Sequence, residues 1–146
     1  MKTAEEILRS KPDQTVYTVE PSASAYEAMR LMVDKNIGAL VVVERVHVVG
    51  IVSERDYARK LVLMARSPKD TLIGDIMSSP VMYVHPHQTS EECMALMTEN
   101  RLRHLPVMDG GQLIGLISIG DLVKATISEQ QFIIEQLEHY ISGQRA

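Results

Sequence analysis

The sequence has no tryptophan, one phenylalanine and one cysteine, and aromatic residues make up only 4% of its 146 residues. A folded core must therefore consist of aliphatic side chains and the nine methionines. A lone cysteine, Cys93, forms no disulfide within the chain, which is typical of a reducing compartment. No apolar run approaches the roughly 18 residues of a membrane span, and the first residues include acids where a signal peptide needs an apolar stretch. These absences predict a cytoplasmic protein with no membrane segment.

A basic surplus is also absent, because 15 Lys and Arg stand against 19 Asp and Glu and the formal net charge is −4. Nucleic-acid-binding proteins usually carry a basic excess or stripe, and single-strand binders also need an aromatic platform. Nucleic acid is therefore disfavoured as a partner, although a local basic pocket for a small anion is compatible with this charge.

Two halves of the chain come into register at a constant offset, which places position 16 on position 81 and position 56 on position 121. Of the 41 positions from 16 to 56, 12 are identical to their mates at 81 to 121, without a gap. The identical pairs that end each copy are Gly50 and Gly115, Ser53 and Ser118, and Asp56 and Asp121. The chain is therefore a tandem duplication.

Each copy has the pattern β-α-β-β-α, which predicts an α+β fold of two repeats that pack together about a pseudo-two-fold axis. Strands are predicted at residues 16–19, 39–43 and 48–52, and in the second copy at 81–84, 105–108 and 113–117. Capping boxes at Ser24 and Thr89 predict the first helix of each copy, and Ser53 and Ser118 precede the last one. We expect a first repeat with an N-terminal helix at 1–66, a second with a connecting helix at 67–127, and a separate C-terminal amphipathic helix and tail at 128–146.

Both copies end with an apolar strand, a Ser-x-x-Asp motif and a helix. A helix start offers free backbone N–H groups and a partial positive charge. The Ser hydroxyl can contact a ligand hydroxyl or phosphate, and the Asp carboxylate can accept two hydrogen bonds from a ribose diol. The alternative is that Ser-x-x-Asp serves only as a helix cap, since this pattern is a common helix-start signal.

The tandem unit with Gly-Ile-Val-Ser-Glu-Arg-Asp in one copy, and Arg-His-Leu-Pro-Val followed by Ser-Ile-Gly-Asp in the other, resembles a pair of cystathionine-β-synthase-type (CBS) domains, a Bateman module. The resemblance covers residues 3–127. It implies two clefts that bind adenosine-containing ligands: AMP, ADP, ATP, NAD or S-adenosylmethionine.

Carried over by position, the resemblance implies two unequal sets of site residues. The first cleft is expected to use Ile51, Ser53, Asp56, Val81, Met82, Arg103, His104, Pro106 and Gly120. The second is expected to use Val16, Tyr17, Gly38, Ala39, Arg55, Leu116, Ser118 and Asp121. In the first, Asp56 is expected to hold the ribose diol while Arg103 and His104 face phosphate. The second has Gly38 and Ala39 in place of that pair, so Arg55 is expected to supply its charge and the two clefts to differ in ligand or affinity.

Other reactive side chains have simpler interpretations. His85-Pro86-His87 is weak as a metal site without Cys or carboxylate support, and a surface turn is favoured. His104 has no nucleophile or paired carboxylate near it in sequence, so a phosphate contact or a structural role is favoured over general-base catalysis. Cys93 and the methionine stripe on the first helices are predicted to lie in the core.

The leading hypothesis is a stand-alone regulatory module without catalytic residues, metal or required cofactor, in which an adenine nucleotide acts as the regulatory ligand. It is expected to form a homodimer through its helical faces and to signal to a protein partner. The alternatives are an enzyme that uses a bound adenine nucleotide, and a structural or nucleic-acid-binding dimer.

Overall fold

The computed structural model describes residues 1–142, and it has the mixed α+β architecture that the sequence predicts. Its helices and strands, in chain order, are α1 (Ala4–Ser10), β1 (Thr18–Val19), α2 (Ala25–Lys35), β2 (Ala39–Glu44), β3 (His47–Ser53), α3 (Glu54–Asp56), which continues as a π-helical segment (Tyr57–Val62), a 3-10 turn (Pro68–Asp70), α4 (Ile73–Ile76), α5 (Ser90–Asn100), β4 (His104–Asp109), β5 (Gln112–Ser118) and α6 (Ile119–Ile141). Residues 143–146 of the expected tail lie outside the described part of the chain.

The chain folds into two compact units. The first-copy unit consists of Thr15–Tyr83 and Gly111–Leu113. Among the described residues, the second-copy unit consists of Met1–Gln14, Val84–Gly110 and residues 114–142. The N-terminal helix, which was expected to belong to the first repeat, therefore packs with the second copy.

The two capping boxes predicted from the sequence, at Ser24 and Thr89, begin their helices in the structure. The Ser24 hydroxyl accepts a hydrogen bond from the Glu27 N–H at 3.1 Å. The Thr89 hydroxyl accepts the equivalent bond from the Glu92 N–H at 3.2 Å. Thr3 caps α1 in the same way, through the N–H of Glu6. Each cap satisfies a backbone donor that the first turn of a helix leaves without a partner.

Both hairpins close through short turns that use the left-handed region of backbone space. In the second copy the turn consists of Gly110 and Gly111, with φ of 57° and 83°, as Asp-Gly-Gly predicts. In the first copy, whose turn contains no glycine, Arg45 takes a positive φ of 58°. A residue with a side chain rarely adopts this conformation, so the first hairpin closes at some cost in backbone strain.

The predicted first strand of each copy is shorter in the structure. In the first copy only Thr18 and Val19 pair, in parallel, with Val41 and Val42 of β2. In the second copy only Val84 forms a bridge, with Val107. The strands predicted at 16–19 and 81–84 were therefore too long. The earlier residues of each run have β propensity, but no neighbouring strand pairs with them.

The prediction of a separate helix at 128–141 was wrong, since α6 runs without a break from Ile119 to Ile141. No Gly or Pro occurs between Asp121 and Ile141, so nothing in the sequence stops the helix that Ser118 starts. The Thr126 hydroxyl donates to the carbonyl of Leu122 at 3.0 Å, which satisfies a polar side chain within the helix.

Each unit has its own aliphatic core, and the methionine and cysteine predictions are confirmed. Cys93 and Met97 are fully buried in the second-copy core, and Met32 is buried in the first-copy core. Met29 and Met94 pack against these cores at partial burial. His85 and His87 are exposed, which agrees with the predicted surface turn.

The segment before each copy packs on the other copy, in the same way both times. The N–H of Ala4 donates to the carbonyl of Gln88 at 2.8 Å, and the N–H of Ile73 donates to the carbonyl of Ala23 at 2.9 Å. The offset between the two donors (73 − 4) exceeds the offset between the two acceptors (88 − 23) by four. The duplication therefore extends to α1 and α4, and the first copy has four extra positions between α1 and its first strand.

Candidate functional site

The two Ser-x-x-Asp motifs lie where β3 enters α3 and where β5 enters α6. Ser53 and Ser118 have extended backbones, with φ of −129° and −99°, and they begin the helices. The carboxylate of Asp56 accepts a hydrogen bond from the N–H of Ser53 at 2.9 Å. Asp121 accepts the same bond from Ser118 at 2.9 Å. Both motifs are therefore real helix caps, and each cap holds its carboxylate at the helix start.

Asp56 is almost fully buried, with 6% of its surface exposed, and it lies in a polar cluster of the first-copy unit. Besides Ser53, its carboxylate accepts a hydrogen bond from the Ser78 hydroxyl at 3.1 Å and contacts the Lys60 ammonium at 3.3 Å. Lys60 is one helical turn further along, and its ammonium also donates to the carbonyl of Ile76 at 3.2 Å. A buried carboxylate needs such partners, because an isolated buried charge is costly.

Asp121 has an equivalent lysine, but from a different element. The Lys11 ammonium lies 3.1 Å from the Asp121 carboxylate and donates to the carbonyl of Leu116 at 2.9 Å. Lys11 comes from the end of α1, whereas Lys60 follows α3. An opening of about 220 Å³ beside this pair is lined by Lys2, Ile7, Ser10, Lys11, Pro12, Asp121, Lys124, Ala125 and Ser128. This is smaller than the roughly 300–1,000 Å³ of a typical ligand pocket, so it can accept only part of a ligand.

Two glycines bring the preceding segments close to the motifs. A Cβ atom on Gly115 would lie 2.5 Å from the Leu8 side chain, and one on Gly50 would lie 2.5 Å from the sulfur of Met77. The absence of a side chain at both positions lets α1 approach β5 and lets the end of α4 approach β3. Lys11 and Ser78 follow these contacts by a few residues, so the glycines help to place them beside the carboxylates.

Arg103 and His104 lie in the second-copy unit, near the helix start that carries Asp121. The carbonyl of Arg103 accepts a hydrogen bond from the N–H of Ile119 at 2.9 Å. Burial lowers the pKa of His104 below 6.5; the Asp121 charge opposes this shift, whereas Lys11 and Arg103 add to it. His104 is therefore neutral near pH 7. It can donate a hydrogen bond to a phosphate, but it carries no charge there, while Arg103 is exposed and charged.

The lowered pKa of His104 predicts a loss of stability in acid. The unfolded chain has a higher histidine pKa than the folded chain, so it binds more protons as pH falls below about 6.5. We expect the free energy of unfolding of the wild type to decrease relative to that of His104→Gln from pH 7 downward, with no difference in slope above pH 7. Urea titrations of both proteins between pH 5.5 and 8 measure this, and a constant difference over that range contradicts it.

The other predicted site residues divide between the two units. Of the first set, Ile51, Ser53, Asp56, Val81 and Met82 lie in the first-copy unit, and Arg103, His104, Pro106 and Gly120 lie in the second-copy unit. Of the second set, Val16, Tyr17, Gly38, Ala39 and Arg55 lie in the first-copy unit, and Leu116, Ser118 and Asp121 in the second-copy unit. Pro106 and Ala39 are buried, whereas Arg55, Met82 and Gly120 are exposed. Membership of the two clefts stays a prediction.

Sequence reasoning missed the partners of both carboxylates: Lys11, Lys60 and Ser78. Lys60 follows Asp56 by four positions, a spacing that brings side chains together on a helix, so this pair had a detectable signal. Lys11 lies near the start of the chain and Asp121 in the second copy, and no periodicity connects the two. Within residues 1–142, no group of three or more His, Cys, Asp or Glu side chains is placed to bind a metal ion. No helix in that range is both long and apolar enough to cross a bilayer.

Comparison with known proteins agrees with the repeated architecture. The family model of the CBS domain matches residues 4–63 and again residues 73–128. The chain is 42% identical over 125 residues to the CBS domain-containing protein CBSX3, mitochondrial, of Arabidopsis thaliana. That match covers 82% of this chain and 61% of the relative, so the chain spans less than two thirds of its length.

Solved structures show the same fold. A protein with CBS domains from Burkholderia ambifaria has a TM-score of 0.85 and 57% identity, covering 88% of this chain and 96% of the other. The structure of CBSX2 in complex with AMP has a TM-score of 0.73 and 28% identity, covering 89% of this chain and 99% of the other. The two matched segments, the identity to relatives and the fold agree, and the chain belongs to the CBS-domain family as a tandem pair of these domains.

Proposed function

We propose that this chain is a regulatory module that binds an adenosine-containing ligand (AMP, ADP, ATP, NAD or S-adenosylmethionine) and has no catalytic activity of its own. The observation that carries the proposal is that both copies have a helix start at which an aspartate carboxylate lies beside a lysine ammonium. Asp56 has Lys60 at 3.3 Å, and Asp121 has Lys11 at 3.1 Å. The carboxylate suits a ribose diol, and the cation suits a phosphate.

The lysines also suggest how a nucleotide is accommodated. Each ammonium neutralises its carboxylate while no ligand is present. When a diol donates two hydrogen bonds to the carboxylate, the lysine is released to pair with the phosphate. Lys60 is 44% exposed and Lys11 is 29% exposed at their side chains, so both have access to solvent and room to turn. A ligand with both ribose and phosphate therefore uses both groups, and free adenosine uses only one.

The two helix starts are proposed to differ in ligand preference. Asp121 shares its unit with Lys11, Arg103 and the neutral His104, whereas Asp56 shares its unit with Lys60, Ser78 and Gly38. The predicted basic pair thus lies in the same unit as Asp121, and its assignment to the ligand of Asp56 stays a proposal. The AMP complex of CBSX2 supports an adenine nucleotide as the ligand class for this fold.

Ligand binding in such a module is proposed to act on a protein partner. A ligand shifts a conformational equilibrium only by as much as it prefers one state over the other. Two chains are proposed to pair through helical faces, so that a change in one module reaches its mate. No cofactor is needed for this role, and the nucleotide acts as the signal.

Isothermal titration of the intact chain with AMP, ADP, ATP, NAD, S-adenosylmethionine and adenosine tests the proposal. We expect at least one phosphate-bearing ligand to bind with a dissociation constant of about 1 mM or lower, and adenosine to bind more weakly. Failure of every ligand to bind at millimolar concentration contradicts the proposed function. An assay for release of phosphate or nicotinamide from the same ligands, run in parallel, is expected to show no turnover.

A further inference from the structure

Helix α6 continues well beyond the core that it helps to build. Leu122 and Ala125, in its first two turns, are buried in the second-copy core. From residue 130 onward, every described residue of the helix is exposed. The exposed part has about 12 residues, and an isolated helix of that length is marginal in water. A long exposed segment of this kind needs a packing partner if it is to remain helical.

From residue 123 onward, α6 carries exposed apolar side chains with the spacing of a coiled coil. Residues at alternating intervals of four and three form what we name the α6 seam: Val123, Ile127, Gln130, Ile134, Leu137 and Ile141. In a seven-residue repeat lettered a to g, Ile127, Ile134 and Ile141 occupy position a, and Val123, Gln130 and Leu137 occupy position d. Leu122 and Ala125 occupy positions c and f, so the core and the seam use different faces of one helix.

The α6 seam is exposed and carries no charge. Ile127, Ile134 and Leu137 are 53%, 52% and 55% exposed, and Ile141 is 82% exposed. The neighbouring g positions, Thr126, Ile133 and Tyr140, are uncharged as well. The charged residues from 123 to 141 lie at positions b, c and e: Lys124, Glu129, Glu135 and Glu138. A charge-free strip of this kind is complementary to another apolar helix and not to a charged surface.

We propose that the α6 seam pairs with the same seam of a second copy of this chain, as a parallel two-stranded coiled coil. This inference rests on the proposed pairing of two chains and is independent of the nucleotide. β-Branched isoleucine occupies all three a positions and leucine occupies one of the three d positions, at 137. Isoleucine at position a with leucine at position d is the combination that favours two parallel strands.

Gln130 supports the parallel arrangement. In a parallel pair, Gln130 faces Gln130 of the other copy, and each side-chain amide donates to the carbonyl oxygen of its mate. In the antiparallel register that keeps the seam matched, Gln130 faces Ile134 and its amide loses that partner. A single polar residue in an otherwise apolar seam fixes the register at some cost in stability.

The area of the seam is sufficient for a weak but specific contact. Burial of its five apolar side chains together with Ile133 and Tyr140 removes on the order of 840 Å² from water for two chains, at about 60 Å² for each side chain. Specific interfaces smaller than roughly 1,200 Å² belong to weak or transient complexes. The association is therefore expected to depend on protein concentration in the micromolar range.

Sedimentation equilibrium of the full chain without nucleotide tests whether the α6 seam mediates dimerisation. We expect the wild type to dimerise and the double variant Ile134→Asp with Leu137→Asp to dimerise roughly tenfold or more weakly, because a charge in an apolar contact loses its water. Phe132→Asp is the matched control, since Phe132 is 63% exposed on the same helix at position f. It is expected to dimerise like the wild type.

The outcomes distinguish dimerisation through the α6 seam from dimerisation through another face. If the wild type stays monomeric at all concentrations, the seam does not bind a second copy and the proposal is wrong. A wild-type dimer that the seam variant leaves intact, or that Phe132→Asp weakens equally, overturns the seam but leaves the pairing through another face. Circular dichroism at 222 nm is expected to show a folded protein in each case, because the substituted residues lie outside the core. A monomeric seam variant is expected to have a weaker helical signal than the dimeric wild type, because the exposed end of α6 has lost its packing partner.

Cross-linking tests the parallel direction. Leu137→Cys is expected to form a disulfide-linked dimer under mild oxidation, because equal positions face each other in a parallel pair. The wild type controls for Cys93, which is buried, and Phe132→Cys controls for random collision. If neither Leu137→Cys nor Ile127→Cys cross-links alone while the double variant does, the helices are antiparallel and the proposed arrangement is wrong.

Discussion

Replacing Ile7 by alanine is expected to lower the free energy of unfolding by about 3 kcal/mol, within the 2–5 kcal/mol that loss of a buried isoleucine costs. Ile7 is only 1% exposed and lies in the second-copy core together with Val84, Leu105 and Ile117. The loss has two parts: the apolar surface that alanine no longer buries, and the cavity that the core cannot fill. Urea unfolding followed by circular dichroism measures the change.

Ile76→Ala is the matched variant in the other unit. Ile76 is fully buried in the first-copy core, and it corresponds to Ile7 by the same offset that relates Ile73 to Ala4. Both variants are expected to lose a similar stability, because the duplication gives both side chains the same role. Val46→Ala is the control, since Val46 is 80% exposed at a hairpin turn and its loss is expected to cost less than about 0.5 kcal/mol.

The comparison also tests whether α1 is part of the fold. If α1 only lay against the surface, Ile7→Ala would lower the free energy of unfolding by far less than about 3 kcal/mol. The change would then be close to that of the Val46→Ala control. That result contradicts the packing of α1 in the second-copy core. A loss like that of Ile76→Ala means that the N-terminal segment is as necessary to the second copy as α4 is to the first.

Local signals were sufficient to predict most elements of the two copies. The capping residues Ser24 and Thr89 act over three positions, and the Gly110-Gly111 turn acts over two, so each is visible in a short stretch of sequence. The duplication repeats these signals, so most elements are indicated twice in the sequence. The structure confirmed both hairpins and both first helices within a few residues.

The partner of α1 could not be predicted in this way. The ungapped match of the two copies begins only at the first strand, and the four extra positions before it hide the match of Ile7 with Ile76. The periodicity of a short helix does not indicate in which core it packs, because its apolar face fits either of two similar cores. The Lys11 contact with Asp121 follows from that packing, so it was missed for the same reason.

The break predicted before residue 128 failed for a different reason. Ser128 resembles a helix start, but a serine within a helix can point to solvent at little cost. Since no Gly or Pro follows Asp121 within α6, the hydrogen-bond ladder continues through Ser128. The apolar pattern from 123 to 141 was visible in the sequence, and only the continuity of the helix shows that it forms one seam.

Replacing the motif aspartates one at a time is expected to weaken nucleotide binding roughly 10–100-fold at one site and leave the other unchanged, because each hydrogen bond to a charged group contributes about 1.5–3 kcal/mol. Asp56→Asn and Asp121→Asn keep an oxygen that can accept the cap hydrogen bond from Ser53 or Ser118, so both proteins are expected to fold. They lose the charge that attracts the lysine and accepts the ribose diol. Titration calorimetry with the ligand that binds the wild type best measures both sites.

Glu44→Gln and Asp109→Asn are the matched controls for these variants. They occupy equivalent positions at the ends of β2 and β4, both are exposed, and neither belongs to a helix start. They change the net charge by the same amount, so a general electrostatic effect on an anionic ligand appears in the controls as well. If the carboxylates serve only as caps, Asp56→Asn and Asp121→Asn lower stability but bind nucleotide like the controls. If they hold the ribose, affinity falls at one site in each variant and at both sites in the double variant, and only this pattern agrees with two working copies of the motif.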